Sequence, residues 1–237
     1  GEKLLVEKYA IALSPGLQLL EPAPLTERSR NLLEAGVSEA RTISGRTFGQ
    51  LSYVPVELEQ IQAIIPNTHA LLNDTFVIAN LQEQIESTPF SVVHVATHGN
   101  FSSNPDDTFI LLWDSLLKAR QFDQLLQSRN PEQDRPIDLL TLSACQTATG
   151  DERATLGLAG IAVRSGTRST LATLWRVEDV STADFMVRFY QELWNDLKLT
   201  KAEALRRAQL HLLKEHPNTN YRLPYYWAPF VLVGNWQ

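Results

Sequence analysis

Two side chains able to share one proton stand out: His98, followed at once by Gly99, and Cys145, 47 positions further on. A free thiol with a pKa near 8.5 is only about 3% thiolate at neutral pH. An adjacent imidazole both lowers that pKa and takes the proton, and can then return the proton to a leaving amine. Gly99 has no side chain, so its N–H can approach a substrate carbonyl closely. Paired with the Cys145 N–H it could form an oxyanion hole, where losing one donor costs about 3 kcal/mol. The chemistry such residues can do is acyl transfer from a peptide. A lone cysteine is more often a small buried hydrophobe, so the position of Cys145 in the fold decides between the two roles.

Short apolar runs alternate with helical patterns along the chain. Phe90 to Ala96 reads as a buried strand, β-branched and bounded by Pro89 and Gly99. Ile137 to Leu142, Ser169 to Leu174 and Phe230 to Val233 read as three more, and Lys8 to Leu13 as strand-like. Helices are expected over Val56 to Ile65, Ser115 to Leu126 and Thr155 to Val163. Two later helices carry start signals: Ser181 as a hydroxyl cap, and Thr200-Lys201-Ala202-Glu203 as a capping box. The segments 21–24, 44–49, 102–107 and 128–136 read as looser. The alternation predicts an α/β fold with a mostly parallel sheet and helices on both faces. Ligands sit beyond the carboxyl ends of such strands. His98 follows the strand ending at Ala96 and Cys145 the strand ending near Ser143, so parallel neighbours would bring them to one sheet edge.

Competing chemistries find less support. His94 lies mid-strand between valines and reads as a hydrogen-bonded core residue. With His98 it forms H-x-x-x-H, a two-ligand spacing on a helix, but on a strand the two lie about 13 Å apart. Zinc is not expected there, and no cofactor is implied. His69, His211 and His216 have no companions that raise them above packing or surface roles. There is no G-x-S-x-G elbow and no phosphate-binding G-x-x-x-x-G-K-[ST] loop; Gly157 and Gly160 fall in a helical pattern.

The chain has 237 residues, 21 Lys and Arg against 27 Asp and Glu, and a net charge of −6. That acidic balance argues against a non-specific nucleic-acid binder. No apolar run reaches the ~18 residues of a membrane span, and no secretory pattern opens the chain. One cysteine excludes an internal disulfide and a cysteine-built zinc site. A reducing cytoplasm is the expected compartment. The length suits one domain over residues 1–237, and the start at Gly1 without an initiator methionine reads as a piece of something longer.

Four motifs then resemble, in order, those of the CHAT family, the caspase- and separase-like domains associated with tetratricopeptide repeats. They are His94-Val95-Ala96-Thr97-His98-Gly99, Leu142-Ser143-Ala144-Cys145-Gln146-Thr147, Leu174-Trp175-Arg176-Val177-Glu178-Asp179, and Trp227-Ala228-Pro229-Phe230 with Gly234. The closest flavour is the bacterial, cyanobacterial-like form. The resemblance implies a caspase-like three-layer sandwich and a cysteine peptidase dyad carried by His98 and Cys145. It also implies protein or peptide substrates and an N-terminal repeat region in the parent protein.

Pocket charge stays open at this stage. Caspases hold an acidic P1 side chain with arginines, whereas metacaspases and separases hold a basic one with carboxylates. Many metacaspases carry an aspartate two positions before the nucleophile, where this chain has Ser143. The similarity to a W-x-V-x-D run favours Asp179 as the acid of a basic-P1 pocket, with Ser143 beside it. Asp179 capping the next helix, or Arg176 reaching an acidic residue, are the competing readings. Thr149 to Arg153 follows the nucleophile as an exposed turn or a self-cleavage loop. Asp106-Asp107 falls short of the six to eight oxygens that calcium needs. Two other functions remain. A binding module with a silent dyad would keep Cys145 unreactive, and a redox sensor lacks a resolving cysteine.

Overall fold

Runs such as Leu-Leu-Glu-Ala-Gly and Val-Val-His-Val-Ala, apolar but for one residue each and buried throughout, make strands covered on both faces. A computed structural model describes residues 3–14, 31–102, 104, 106–127, 136–147, 166–196 and 198–237, with 144–147 described by their backbone. The chain first forms α1 (Leu5–Lys8), β1 (Leu32–Gly36), β2 (Arg41–Ile43), β3 (Arg46–Phe48), α2 (Val54–Ile64), β4 (Thr68–Leu72) and α3 (Ile78–Ser87). Then come β5 (Val92–Phe101), β6 (Phe109–Leu111), β7 (Leu116–Lys118), α4 (Ala119–Gln127) and β8 (Leu139–Thr147). β9 (Ser169–Thr173), α5 (Asp179–Asn195), α6 (Lys201–Leu210), α7 (Pro224–Trp227) and β10 (Phe230–Gly234) complete it.

Among the described residues the main sheet runs β10-β9-β8-β5-β1-β4, with β6 and β7 continuing from the end of β5. β4, β1, β5, β8 and β9 are parallel; β10, β6 and β7 pair antiparallel with their neighbours. Alternation divides the core. Leu32, Val92 and Leu139, in register, join Ile61 of α2 and Phe185 and Phe189 of α5 on one face. Leu33, Val93 and Leu140 join Leu81 and Ile85 of α3 and Phe122 of α4 on the other. The expected parallel sheet with two helical layers is what forms.

Several boundaries differ from the sequence reading. Lys8 to Leu13 is not a strand. The Glu7 carboxylate accepts the Leu4 N–H and turns the chain into α1, and only Leu13 bridges to Val233. The helix expected from Ser115 begins at Ala119, because Leu116–Lys118 pairs with β6 and the Gln121 side chain accepts the Lys118 N–H. The looser stretch 44–49 contains a hairpin turn. Ser44 and Gly45 both have positive φ (51° and 73°), the pair of left-handed residues that joins β2 to β3 in two residues. The expected helix 155–163, with Gly157 and Gly160, lies outside the described residues, as does the 149–153 loop.

One row across the sheet is polar. Glu34, His94 and Thr141 pair in register on β1, β5 and β8, and all three are fully buried. The Tyr190 hydroxyl of α5 donates to Thr141 Oγ1 at 3.0 Å and lies 3.3 Å from His94 Nδ1. His94 Nε2 is 2.9 Å from Glu57 Oε1 of α2, a close contact that lacks hydrogen-bond angles. His94 is thus the partnered core histidine the sequence suggests. Glu34 accepts one hydrogen bond from Gln62 at 2.9 Å. Burial, reinforced by the neighbouring Glu57 charge and opposed by that bond, pushes the Glu34 carboxyl up to about 8.

The folded state therefore holds a proton on Glu34 that the unfolded chain releases near pH 4.5. Stability contributed by this group is intact below that value and declines as pH rises toward 8, by at most ~1.4 kcal/mol per pH unit. Glu34→Gln keeps an acceptor for Gln62 and removes the titration. Urea unfolding of the variant should show higher stability than the parent at pH 8 and a flatter profile between pH 5 and 8. An unchanged slope would show that Glu34 is not the buried proton site.

Gly234 ends β10 at φ 103°, and a Cβ there would meet the Arg168 carbonyl oxygen at 2.3 Å. Both the conformation and the contact require glycine. Gly234→Ala should cost about 2–4 kcal/mol in equilibrium unfolding, and a cost under ~1 kcal/mol would contradict this reading.

Candidate active site

His98 and Cys145 lie inside strands that run further than their apolar cores suggest. β5 continues to Phe101 and β8 to Thr147. The two strands pair residue for residue from Val92–Leu139 to Ala96–Ser143, then resume at Gly99–Cys145. Thr97 and His98 therefore face the single Ala144. An extra residue of this kind bends and twists a strand and often re-aims a side chain beside a site. It leaves His98 next to the Gly99–Cys145 backbone pair, on strands one sheet spacing apart (~4.8 Å).

The imidazole of His98 is fixed by the β2–β3 hairpin. Its Nε2 lies 2.8 Å from the carbonyl oxygen of Gly49, the residue after β3, and the Phe48 ring centre is 5.6 Å from its own. A carbonyl only accepts, so Nε2 carries the proton and Nδ1 is left as the acceptor. Burial pulls the His98 pKa below its ordinary value. The Gly49 bond opposes this, and the positive charge of Arg176 adds to it. The ring is consequently neutral at pH 7, the form in which it can take a thiol proton.

A cleft of about 500 Å³ opens beside it, its lining including His98, Gln50, Arg176, Glu178, Asp179 and Tyr225. Asp179, the acid the sequence favours for a basic-P1 pocket, lines this cleft together with His98. Asp179 is the first residue of α5, and its Oδ2 accepts the Tyr53 N–H at 2.7 Å, tying the starts of α2 and α5 together. Burial raises its pKa, the Tyr53 bond lowers it, and the Glu57 charge raises it further. Ser181 is not the cap of α5. The helix starts two residues earlier, and the Ser181 and Thr182 hydroxyls donate to the Glu178 carbonyl at 3.0 and 2.9 Å. Ser143 is fully buried in β8 opposite Ala96, and it is not among the described residues that line the cleft.

Other candidates fall elsewhere. His94 belongs to the buried polar row, so the H-x-x-x-H pair points to two environments. Asp107 accepts an Asn104 side-chain hydrogen bond at 2.9 Å within its turn. Among the described residues no group of three His, Cys, Asp or Glu is placed to hold a metal ion, and no helix is long and apolar enough to cross a membrane. The sequence reading missed the Gly49 carbonyl and the Tyr53 N–H, which are backbone groups with no residue signature. The Ser-Gly pair between Arg-Thr-Ile and Arg-Thr-Phe was the available hairpin signal.

The CHAT domain family model matches residues 1–235. The chain belongs to the CHAT family. A search of curated protein sequences returns no match. Among solved structures, the Arg-specific cysteine proteinase gingipain R is similar over 91% of this CHAT chain at 10% identity, with a TM-score of 0.56. The complex of Porphyromonas gingivalis RgpB pro- and mature domains aligns over the same share at 10% identity, with a TM-score of 0.58. The CHAT chain spans 49% and 50% of those two chains. Caspase-1 from Spodoptera frugiperda is similar over 91% of this chain and 96% of its own, at 10% identity and a TM-score of 0.51. At these identities the likeness is one of fold: this CHAT domain has a caspase-like α/β architecture.

Proposed function

We propose that this CHAT domain is a cysteine endopeptidase that cleaves protein or peptide substrates after a basic residue. Cys145 attacks the peptide carbonyl as its thiolate, and His98 Nδ1 takes the thiol proton. The carbonyl oxygen becomes an oxyanion held by the Gly99 and Cys145 N–H groups. The C–N bond then breaks as His98 gives its proton to the leaving amine, and water, activated by the same imidazole, releases the acyl group from sulfur. The observation that carries this reading is the orientation of His98. Its Nε2 is committed to Gly49, and its residue abuts the Gly99–Cys145 pair.

Asp179 supplies the charge for a lysine or arginine at P1, and the Arg-specific character of the structurally similar gingipain R agrees with that choice. Ser143, fully buried opposite Ala96 and not part of the cleft lining, makes no contact with the P1 side chain in this reading. A positional peptide library tests activity and P1 charge together. Cleavage confined to Lys and Arg at P1 is expected. Cleavage after Asp or Glu that Arg176→Ala abolishes would reverse the assigned sign of the pocket, and absence of any cleavage would favour a silent binding module.

A further inference from the structure

His98 lines the acidic cleft and, through Phe48 and Phe109, also adjoins a pair of cations. Past the bulge, β5 pairs with β8 along one edge and with β6 of the β6–β7 ribbon along the other, and His98, just before those pairs, also lines the Asp179 cleft. Phe48, beside His98, packs edge-on against Phe109 of β6 with ring centres 6.0 Å apart. The Arg46 guanidinium lies 5.1 Å from the Phe109 ring centre and Lys118 Nζ lies 5.5 Å from it. Lys118 is the register partner of Phe109 on β7, and its Nζ also donates to the Asp106 carbonyl at 2.8 Å.

Among the described residues neither Arg46 nor Lys118 is ion-paired. Three acids sit in the adjoining turns: Asp107 and Asp114 accept hydrogen bonds from Asn104 and Ser115 within those turns, and Asp106 meets Lys118 through its backbone carbonyl. Aromatic seats of this kind hold a cation in place without neutralising it. Two such charges beside the base in a chain of net charge −6 form a local exception to the overall sign.

We infer that Arg46 and Lys118 form a subsite for acidic residues on the leaving-group side of the scissile bond. The inference rests on the peptidase reading above, because that chemistry fixes the direction. The acyl half stays on the Cys145 side with its P1 side chain in the Asp179 cleft, and the leaving amine must lie at His98 to receive its proton. The chain beyond that amine continues over the Phe48–Phe109 wall. Two ring-to-ring steps and one ring-to-cation step, each of about 5–6 Å, separate the imidazole from the cations, the reach of roughly three to five extended residues at ~3.3 Å each. The substrate is thus a peptide with a basic residue at the cut and carboxylates a few residues downstream.

The test compares peptides identical except for Glu or Gln at the second to fourth positions after the cut. The Glu peptide should be cleaved about tenfold more efficiently at low salt, and the advantage should shrink several-fold at ~0.5 M NaCl. Arg46→Gln with Lys118→Met, which keep the side-chain stems, should bring the Glu/Gln ratio close to one. Arg46→Glu alone, at an exposed hairpin position, should bring it below one and serves if the double variant does not fold. In parallel, fluorescence anisotropy with Cys145→Ala reads binding of both peptides without cleavage. Cleavage with equal efficiency for both peptides overturns the acidic subsite and leaves the peptidase reading standing. No cleavage, with selective salt-sensitive binding of the Glu peptide that Arg46→Glu removes, retains the subsite and overturns the peptidase reading. No cleavage and no selective binding overturns both.

Discussion

His98→Gln should lower kcat/KM toward basic-P1 peptides by ~10³-fold or more, and Cys145→Ala should remove cleavage altogether. Glutamine is the informative replacement because its amide can still donate to the Gly49 carbonyl, the bond that now fixes Nε2 at 2.8 Å. It therefore keeps the hydrogen bond to the hairpin and removes the basic nitrogen that takes the thiol proton. Thermal unfolding of the variant should shift by no more than a few degrees, since His98 is partly exposed and its neighbours keep their own bonds. Loss of activity with retained fold would assign the histidine to chemistry. Retained activity would leave Cys145 without its base.

Asp179→Asn should reduce kcat/KM for lysine and arginine at P1 by about 10²-fold and change neutral P1 substrates far less. The amide oxygen can still accept the Tyr53 N–H, so α2 and α5 stay joined while the charge disappears. The acid side of the pH profile carries the same information. Asp179 titrates above its ordinary 3.8 and His98 below its ordinary 6.5, so the activity of the parent should fall as pH drops between those two values. Protonating Asp179 removes the P1 attraction, and protonating His98 removes the base. In Asp179→Asn only the His98 limb should remain. Equal losses for basic and neutral P1 substrates would reduce Asp179 to a tie between helix starts.

The central strands were legible because their composition has one explanation. Val92-Val93-His94-Val95 and Leu139-Leu140-Thr141-Leu142 are too short for helices and too apolar for exposed strands, and both formed as expected. Where they end was not legible. His98, Gly99 and Cys145 prolong β5 and β8 because a neighbouring strand continues beside each, and pairing across a bulge is a property of two segments together. The β2–β3 hairpin escaped notice because its strands are three residues long and largely exposed, so no apolar period marks them. The row Glu34–His94–Thr141 was hidden for a related reason: register among three distant segments sets it. Asp179 is singled out by its motif, but its partner, a backbone N–H 126 positions away, has no signature in the sequence.

The rate at which iodoacetamide alkylates Cys145, followed from pH 5 to 9 in the parent and in His98→Gln, tests the His98–Cys145 partnership most directly. The thiol is the chain's sole cysteine, so the signal has one source. A thiol beside the His98 acceptor should react with an apparent pKa well below the ordinary ~8.5, and His98→Gln should return it toward that value. A parent thiol that titrates near 8.5 or reacts only after unfolding, with no response to the histidine substitution, would contradict the account.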